Sequence, residues 1–414
     1  MSQFRINPIA FVSMLAVTLS VSIADDREYE LERVVAMSGF DKKTCWVHAR
    51  AGAVPANVAA NASGRPAIVM TMQKALLVAS DVFYPLHQTV SNDLGQSWSK
   101  PIEQSEFERR KMSAETDMTV CDFTPAWHAK SKTLLGTGHT VWYRNNRLMH
   151  VRPRSTAYAV YDPATAKWLP WKRVVMPDHV RFKNSGAGSV QRLDLANGDV
   201  LLPTYYKDPQ KYQYSTTVMH CSFDGKGLKY IRHGSELTIP VKRGLYEPSV
   251  TWFNGRFFLT MRNDVHGYVS VSDDGMNYSD PIQWKFDDGS DLGNYNTQQH
   301  WVAHHNALYL VYTRRGANND RVFRHRAPLF IARVDPERLC VIRSTEQILV
   351  PDRGARLGNF AITRVSEDET WITVAEWMQP IGVEKHGSDN SVFVAKLKWK
   401  APNRLFSKSL PSIR

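Results

Sequence analysis

Apolar residues along most of this chain come in short runs, rich in β-branched and aromatic side chains and set apart by Gly, Asn, Asp and Pro. The runs "AIVMTM", "ALLVAS", "TAYAVY", "DVLLPTYY", "RFFLTMR", "YVSVS", "ALYLVYT", "PLFIARV", "TWITVAEW" and "SVFVAKLKW" each predict a strand, and no helical spacing of useful length intervenes. The pattern predicts an all-β protein. Closely spaced hairpins with no Pro/Gly/Ser-rich linker favour one closed architecture over several sandwiches.

The exception is the beginning. An apolar run from Ile9 to about Val21 follows one basic residue, Arg5, and precedes Ser22-Ile23-Ala24 and the acidic pair Asp25 and Asp26. That order predicts a cleavable secretory signal over residues 1–24, because the run is too short to span a bilayer and ends in a small-x-small site. The remaining residues, 25–414, are then expected to be secreted or periplasmic, without stable membrane insertion.

Composition narrows the partner. A chain with 43% hydrophobic and 11% aromatic residues has material for a large core and lacks the signature of disorder. Without Arg5 the balance is 51 basic against 40 acidic residues, or +11, which suits an anionic partner. The basic residues are scattered, and no Lys/Arg-rich run, zinc-finger or RNA-binding signature points to nucleic acid. An acidic oligosaccharide or polysaccharide fits an exported protein better. Cys45, Cys121, Cys221 and Cys340 lie too far apart for a zinc pair; export permits disulfides in any of three connectivities, but buried thiols are the expectation, and the residues call for no metal and no cofactor.

The octet "SNDLGQSW", Ser91 to Trp98, has weaker echoes in "SFDGKGLKY" and "SDDGMNY". Each places a carboxylate to accept turn amides, a glycine that can take a positive φ, and an aromatic plug. A turn carboxylate is needed once per repeat, so Asp93 reads as structural. The pattern resembles the Asp box, or BNR repeat, of the sialidase (neuraminidase) superfamily, which implies a six-bladed β-propeller over 25–414.

Other segments resemble that superfamily's site. "GRPAIVMTMQKALLVASD" is similar to the segment supplying the first arginine of a carboxylate clamp, giving Arg65, and to the region of the general acid, giving Asp81. "YEPSVTWFNGRFFLTMR" resembles the segment pairing a glutamate with a second arginine, giving Glu247 and Arg262. In "RHRAPLFIARVD" Arg326 stands for the third arginine, with Arg324 as fallback. The resemblance implies that Arg65, Arg262 and Arg326 converge on one carboxylate through forked hydrogen bonds. It also requires a tyrosine nucleophile activated by the glutamate. Counting back from Glu376 puts Asn359 or Phe360 at that position, and neither can attack a carbon.

Polar clusters elsewhere supply substitutes. "YNTQQHW" offers Tyr295 and His300 as catalytic groups, with Gln298 and Gln299 as sugar-binding amides. "RRGANND" adds Arg314 and Arg315, and "GTGHTVWY" adds His139. The expected function is an exo-α-sialidase-like glycoside hydrolase removing a terminal acidic sugar. The alternatives are a propeller-type polysaccharide lyase, in which Tyr295 or His300 takes the proton beside a uronate carboxylate, and a non-catalytic glycan-binding propeller.

Overall fold

The computed structural model describes residues 27–58, 64–79, 81–149, 153–405 and 413, so the expected signal segment and its cleavage site lie outside the described residues. Among the described residues there is no α-helix, only strands and short 3-10 turns. The strands form six antiparallel sheets in a β-propeller arrangement.

Five sheets follow one another along the chain. Their innermost long strands begin with Thr44–Val54 in the first sheet, Thr116–His128 in the second, Tyr246–Phe253 in the fourth and His300–His304 in the fifth. The third is entered through two short strands, Ser185–Gly186 and Leu193–Asp194, that share Val200–Tyr206 as partner. The sixth sheet joins both ends of the chain: Val392–Trp399 pairs with Glu369–Trp377 on one side and with Tyr29–Met37 on the other. Sharing one sheet between the two ends ties the ring together at that seam.

Apolar layers between successive sheets hold the ring. One is built from Val311, Ile331, Leu349, Phe360, Ile372 and Leu397, and another from Phe107, Phe123, Leu134, Trp168 and Trp171. The octet lies against such a layer. Asp93 accepts the Ser97 amide at 3.0 Å, and Ser91 Oγ accepts the Gly95 amide at 2.8 Å. Gly95 has φ +79 and a Cβ there would stand 3.0 Å from the buried Trp371 ring, so both conformation and space demand glycine. Asp274 repeats the geometry, accepting the amides of Met276 and Asn277 at 2.8 and 2.7 Å. Asp93 is therefore a turn residue, as its sequence setting predicts.

The sequence runs locate the outer and middle strands closely: "RFFLTMR" is Arg256–Arg262 and "YVSVS" is Tyr268–Ser272. "ALLVAS" is the exception, since the strand ends at Leu76 and Leu77–Ala79 turn toward the ring axis. The innermost strands carry the weakest signal. Thr44–Val54, "TCWVHARAGAV", is crowded with alanine and glycine because small side chains are what the narrow axis admits.

Candidate active site

Three innermost strands contain the same irregularity. Between Val47 and Arg50, between Cys121 and Thr124, and between Tyr246 and Ser249, three steps on the inner strand oppose two on its partner. Each is a β-bulge, and the residue that opens it has a left-handed backbone: His48 at φ 55, Asp122 at φ 52 and Glu247 at φ 48. Left-handed backbone at a non-glycine residue costs on the order of 1–3 kcal/mol and concentrates at functional sites. Here it turns all three side chains into one cavity at the ring axis. The cavity measures about 490 Å³, and its lining includes Asp81, Asp122, His139, Arg154, Tyr205, Glu247, Arg262, Arg324, Arg326, Arg356 and Asn359.

One end of the cavity is organised around Asp122. Its carboxylate accepts from Arg50 Nη2 at 2.9 Å, from Asn359 Nδ2 at 3.0 Å and from the Ser189 hydroxyl. His48 Nε2 and His139 Nε2 stand 3.5 and 3.7 Å from its oxygens. Burial opposes the ionised form, but His48, Arg50, His139 and Ser189 outweigh it and hold the carboxyl well below the usual range. Burial in turn pushes His48 down to about 4, so the imidazole is neutral near pH 7. Cys121, Asp122 and His139 are close enough together to hold a metal ion. Arg50 already takes the carboxylate, which makes this a poor cation site.

His139 reaches the cavity through a gap left by glycine. A Cβ on Gly188 would fall 1.9 Å from His139 Nδ1. That nitrogen faces the Tyr205 hydroxyl at 3.3 Å, and both rings line the cavity.

The other end is a cluster of arginines. Arg262 donates to Glu247 at 2.6 Å, and although burial works against it, Glu247 holds the guanidinium pKa above its ordinary value. Arg326 donates through Nε to the Asn296 carbonyl at 2.9 Å and through Nη1 to Asn359 Oδ1 at 3.3 Å, but its described side chain meets no carboxylate within ion-pair distance. Burial first, then Arg262, Arg356 and Arg324, press its pKa well below the arginine range. Burial and Arg324 likewise bring Arg356 down to about 10. Arg356 stacks on Trp377 at 4.0 Å and donates to Gln379 Oε1 at 3.1 Å. Asp81 also lines the cavity, and its charge favours the cations of both Arg324 and Arg356.

Several expectations need correction. Arg65 is exposed in the turn before Ala67–Leu76 and does not line the cavity, so it does not converge with Arg262 and Arg326. The arginine that reaches the axis from this sheet is Arg50, one strand earlier. Tyr295 does not meet Glu247: its hydroxyl bonds His325 Nδ1, and Arg315 stacks on its ring at 4.5 Å. The cavity's Tyr205 and Tyr246 hydroxyls are directed at His139 and Asp264. His300 is buried between Ser249 Oγ, 2.6 Å from Nδ1, and the Phe360 carbonyl, 3.1 Å from Nε2. Gln298 donates to the same carbonyl and Gln299 to the nearby Thr297 carbonyl, so both amides are engaged with backbone and neither lines the cavity. Arg314 makes a forked pair with Glu346 at 2.8 and 2.7 Å, and Arg315 donates to the Val265 carbonyl. Asp81, Glu247, Arg262, Arg326 and His139 do meet at the cavity. Of the two residues expected in the tyrosine's place, Asn359 lines the cavity, held by Asp122, Ser189 and Arg326, and Phe360 is buried in the core.

The groups missed in the sequence are Arg50, Asp122, Arg154, Tyr205 and Arg356. Their one visible sign is glycine: "GAGS" sits where His139 and Arg154 need room. All four cysteines are buried free thiols, as expected, and burial pushes Cys45 and Cys221 up to about 12.

No family model and no curated protein matches the sequence. Solved structures do. A protein of unknown function from Dyadobacter fermentans aligns at TM-score 0.60 and 13% identity, over 89% of this chain and 99% of that one. A Trypanosoma rangeli sialidase bound to the inhibitor DANA aligns at 0.58 and 13%, over 89% of this chain but 59% of the sialidase. The fold is sialidase-like. NanB sialidase from Streptococcus pneumoniae extends the likeness at 0.56 and 11%, over 90% of this chain and 71% of that one. This chain therefore spans only part of the length of these sialidases, and at such identities the likeness concerns the fold.

Proposed function

We propose that this chain is an exported carbohydrate-active enzyme for acidic glycans, built as a single six-bladed propeller with Asp-box turns, in which the arginine cluster holds a sugar carboxylate. The observation that carries the reading is Arg326. A buried guanidinium beside three others, with no carboxylate of its own, is a socket for an anion, and a carboxylate arriving there gains forked, charge-assisted hydrogen bonds.

For the bond-breaking step, a glycosidase of the exo-α-sialidase type would use Asp81 as proton donor to the leaving oxygen and Glu247 as the second carboxylate. At the cavity the Tyr205 and Tyr246 hydroxyls turn to His139 and Asp264, so neither is paired with Glu247 as a covalent tyrosine intermediate requires. A second reading has its own support: the Tyr205 hydroxyl and His139 Nδ1, 3.3 Å apart, both line the cavity. In this elimination the pair takes the proton beside the clamped carboxylate of a uronate. The bond to the leaving oxygen breaks, a carbon–carbon double bond forms, and the proton passes to the departing oxygen.

The test is calorimetric titration with galacturonate, N-acetylneuraminate and their methyl esters, followed by product analysis on acidic glycans. At least one free acid should bind about tenfold or more tightly than its ester; equal binding would sink the reading. Unsaturated products absorbing in the near ultraviolet select elimination, new reducing ends alone select hydrolysis, and binding without products selects a glycan-binding propeller.

A further inference from the structure

The cavity holds a cation that stands outside the arginine cluster. Arg154, in a parallel bridge with Asn184 on the way into the third sheet, is 9% exposed and lines the cavity. Its guanidinium makes no hydrogen bond to a described residue, and its Nε is sealed from solvent without a partner. It lies over the rings of Tyr205 at 5.1 Å and Tyr214 at 5.8 Å. Ring faces attract its charge but accept none of its five in-plane N–H groups, and a buried donor without an acceptor is costly.

Two features set this arginine apart from the cluster. The groups around it, Tyr205, Tyr214, Cys121 and Asp122, favour its cation, whereas Arg262, Arg324 and Arg356 oppose that of Arg326. Its space is also built in: a Cβ on Gly186 would stand 2.9 Å from Arg154 Cδ, so a glycine keeps the channel open for this side chain.

We infer that Arg154, framed by Tyr205 and Tyr214, is a second oxyanion subsite of the cavity, and that the ligand is a glycan carrying two anionic groups. One is the carboxylate taken by the cluster; the other is a sulfate ester or a second sugar carboxylate facing Arg154. This rests on the acidic-glycan reading of the cluster and adds the spacing of charge along the substrate. Planar N–H groups suit either oxyanion, so the source is separated by the ligands chosen.

The full chain is titrated with galacturonate, with digalacturonate and with a sulfated uronate disaccharide. In the unmodified protein at least one of the two dianions should bind about tenfold more tightly than galacturonate, and the tighter one names the second group. Arg154→Met should remove that advantage, a loss of roughly tenfold for the dianion, while changing galacturonate affinity less than about twofold. Arg154→Lys, which keeps the charge without the fork, should fall between them. Equal affinity for all three ligands in the unmodified protein overturns the subsite whether or not the variants fold. An equal loss for monoanion and dianion in Arg154→Met overturns it too, because Arg154 would then belong to the cluster. If no acidic ligand binds at all, the reading of the cluster falls first and the subsite with it.

Discussion

Asp122 and Arg326 are both buried charges facing one cavity, and the protein answers them in opposite ways. Asp122 has its counter-ion inside the chain: Arg50 pairs with it at 2.9 Å, and Asn359, Ser189 and two imidazoles complete the shell. Arg326 has amide and carbonyl oxygens but shares its space with three further guanidiniums. Taking one partner from a satisfied buried pair leaves a bare charge behind. Removing a charge that was never balanced relieves the fold instead. The first arrangement serves the architecture and the second waits for something from outside. A count of buried charges would not separate them; their partners do.

The largest effect that can break this comparison is at Asp122. Asp122→Asn keeps the shape and removes the charge, leaving Arg50 buried and uncompensated, so unfolding free energy should fall by about 3–5 kcal/mol in denaturant melts. A loss under about 1 kcal/mol would show that Arg50 does not depend on it. Next comes Arg326→Met, expected to weaken binding of an acidic sugar by roughly 30-fold while the thermal midpoint holds or rises. Arg65→Ala, on the exposed turn, should change neither. If Arg326→Met melts earlier and binds normally, the cluster is structural.

The smallest test sharpens the picture beneath the cavity. His48 and His300 are held neutral by burial, at about 4 and about 3 against an ordinary 6.5. As pH falls below 6.5 the unfolded chain takes up these protons and the folded chain does not until near those lower values. The unfolded state therefore binds more protons across that window, and stability declines with falling pH by about 1.4 kcal/mol per pH unit for each group. Above 6.5 neither group contributes. Denaturation midpoints at pH 7 and pH 5 measure the slope, and His300→Gln should remove one group's share of it. An unchanged slope would mean that His300 is not the buried neutral group described.

What could be read from the sequence follows from where strong local signals arise. Outer strands such as Tyr268–Ser272 carry β-branched and aromatic residues and are plain in the letters, as is the turn around Asp93. Glu247, Arg262 and Arg326 were found because they sit in recognisable segments. Arg50 and Asp122 were not, because a buried ion pair between two innermost strands joins positions 72 residues apart and leaves no local mark. "YNTQQHW" misled for the complementary reason. A run of polar letters looks like a binding surface, yet buried inner-strand side chains must find partners, and Gln298, Gln299 and His300 spend theirs on neighbouring backbone.

The left-handed bulge bears on how such a ring acquires new reactions over generations. At His48, Asp122 and Glu247 the same backbone step aims an imidazole and two carboxylates of different length at one volume. Direction is set by the main chain, and chemistry by a single codon. A lineage carrying this scaffold can exchange the reacting group at one position without redesigning the strand that presents it, so descendants of one ancestor can share every turn of the chain and still differ in the bond they break.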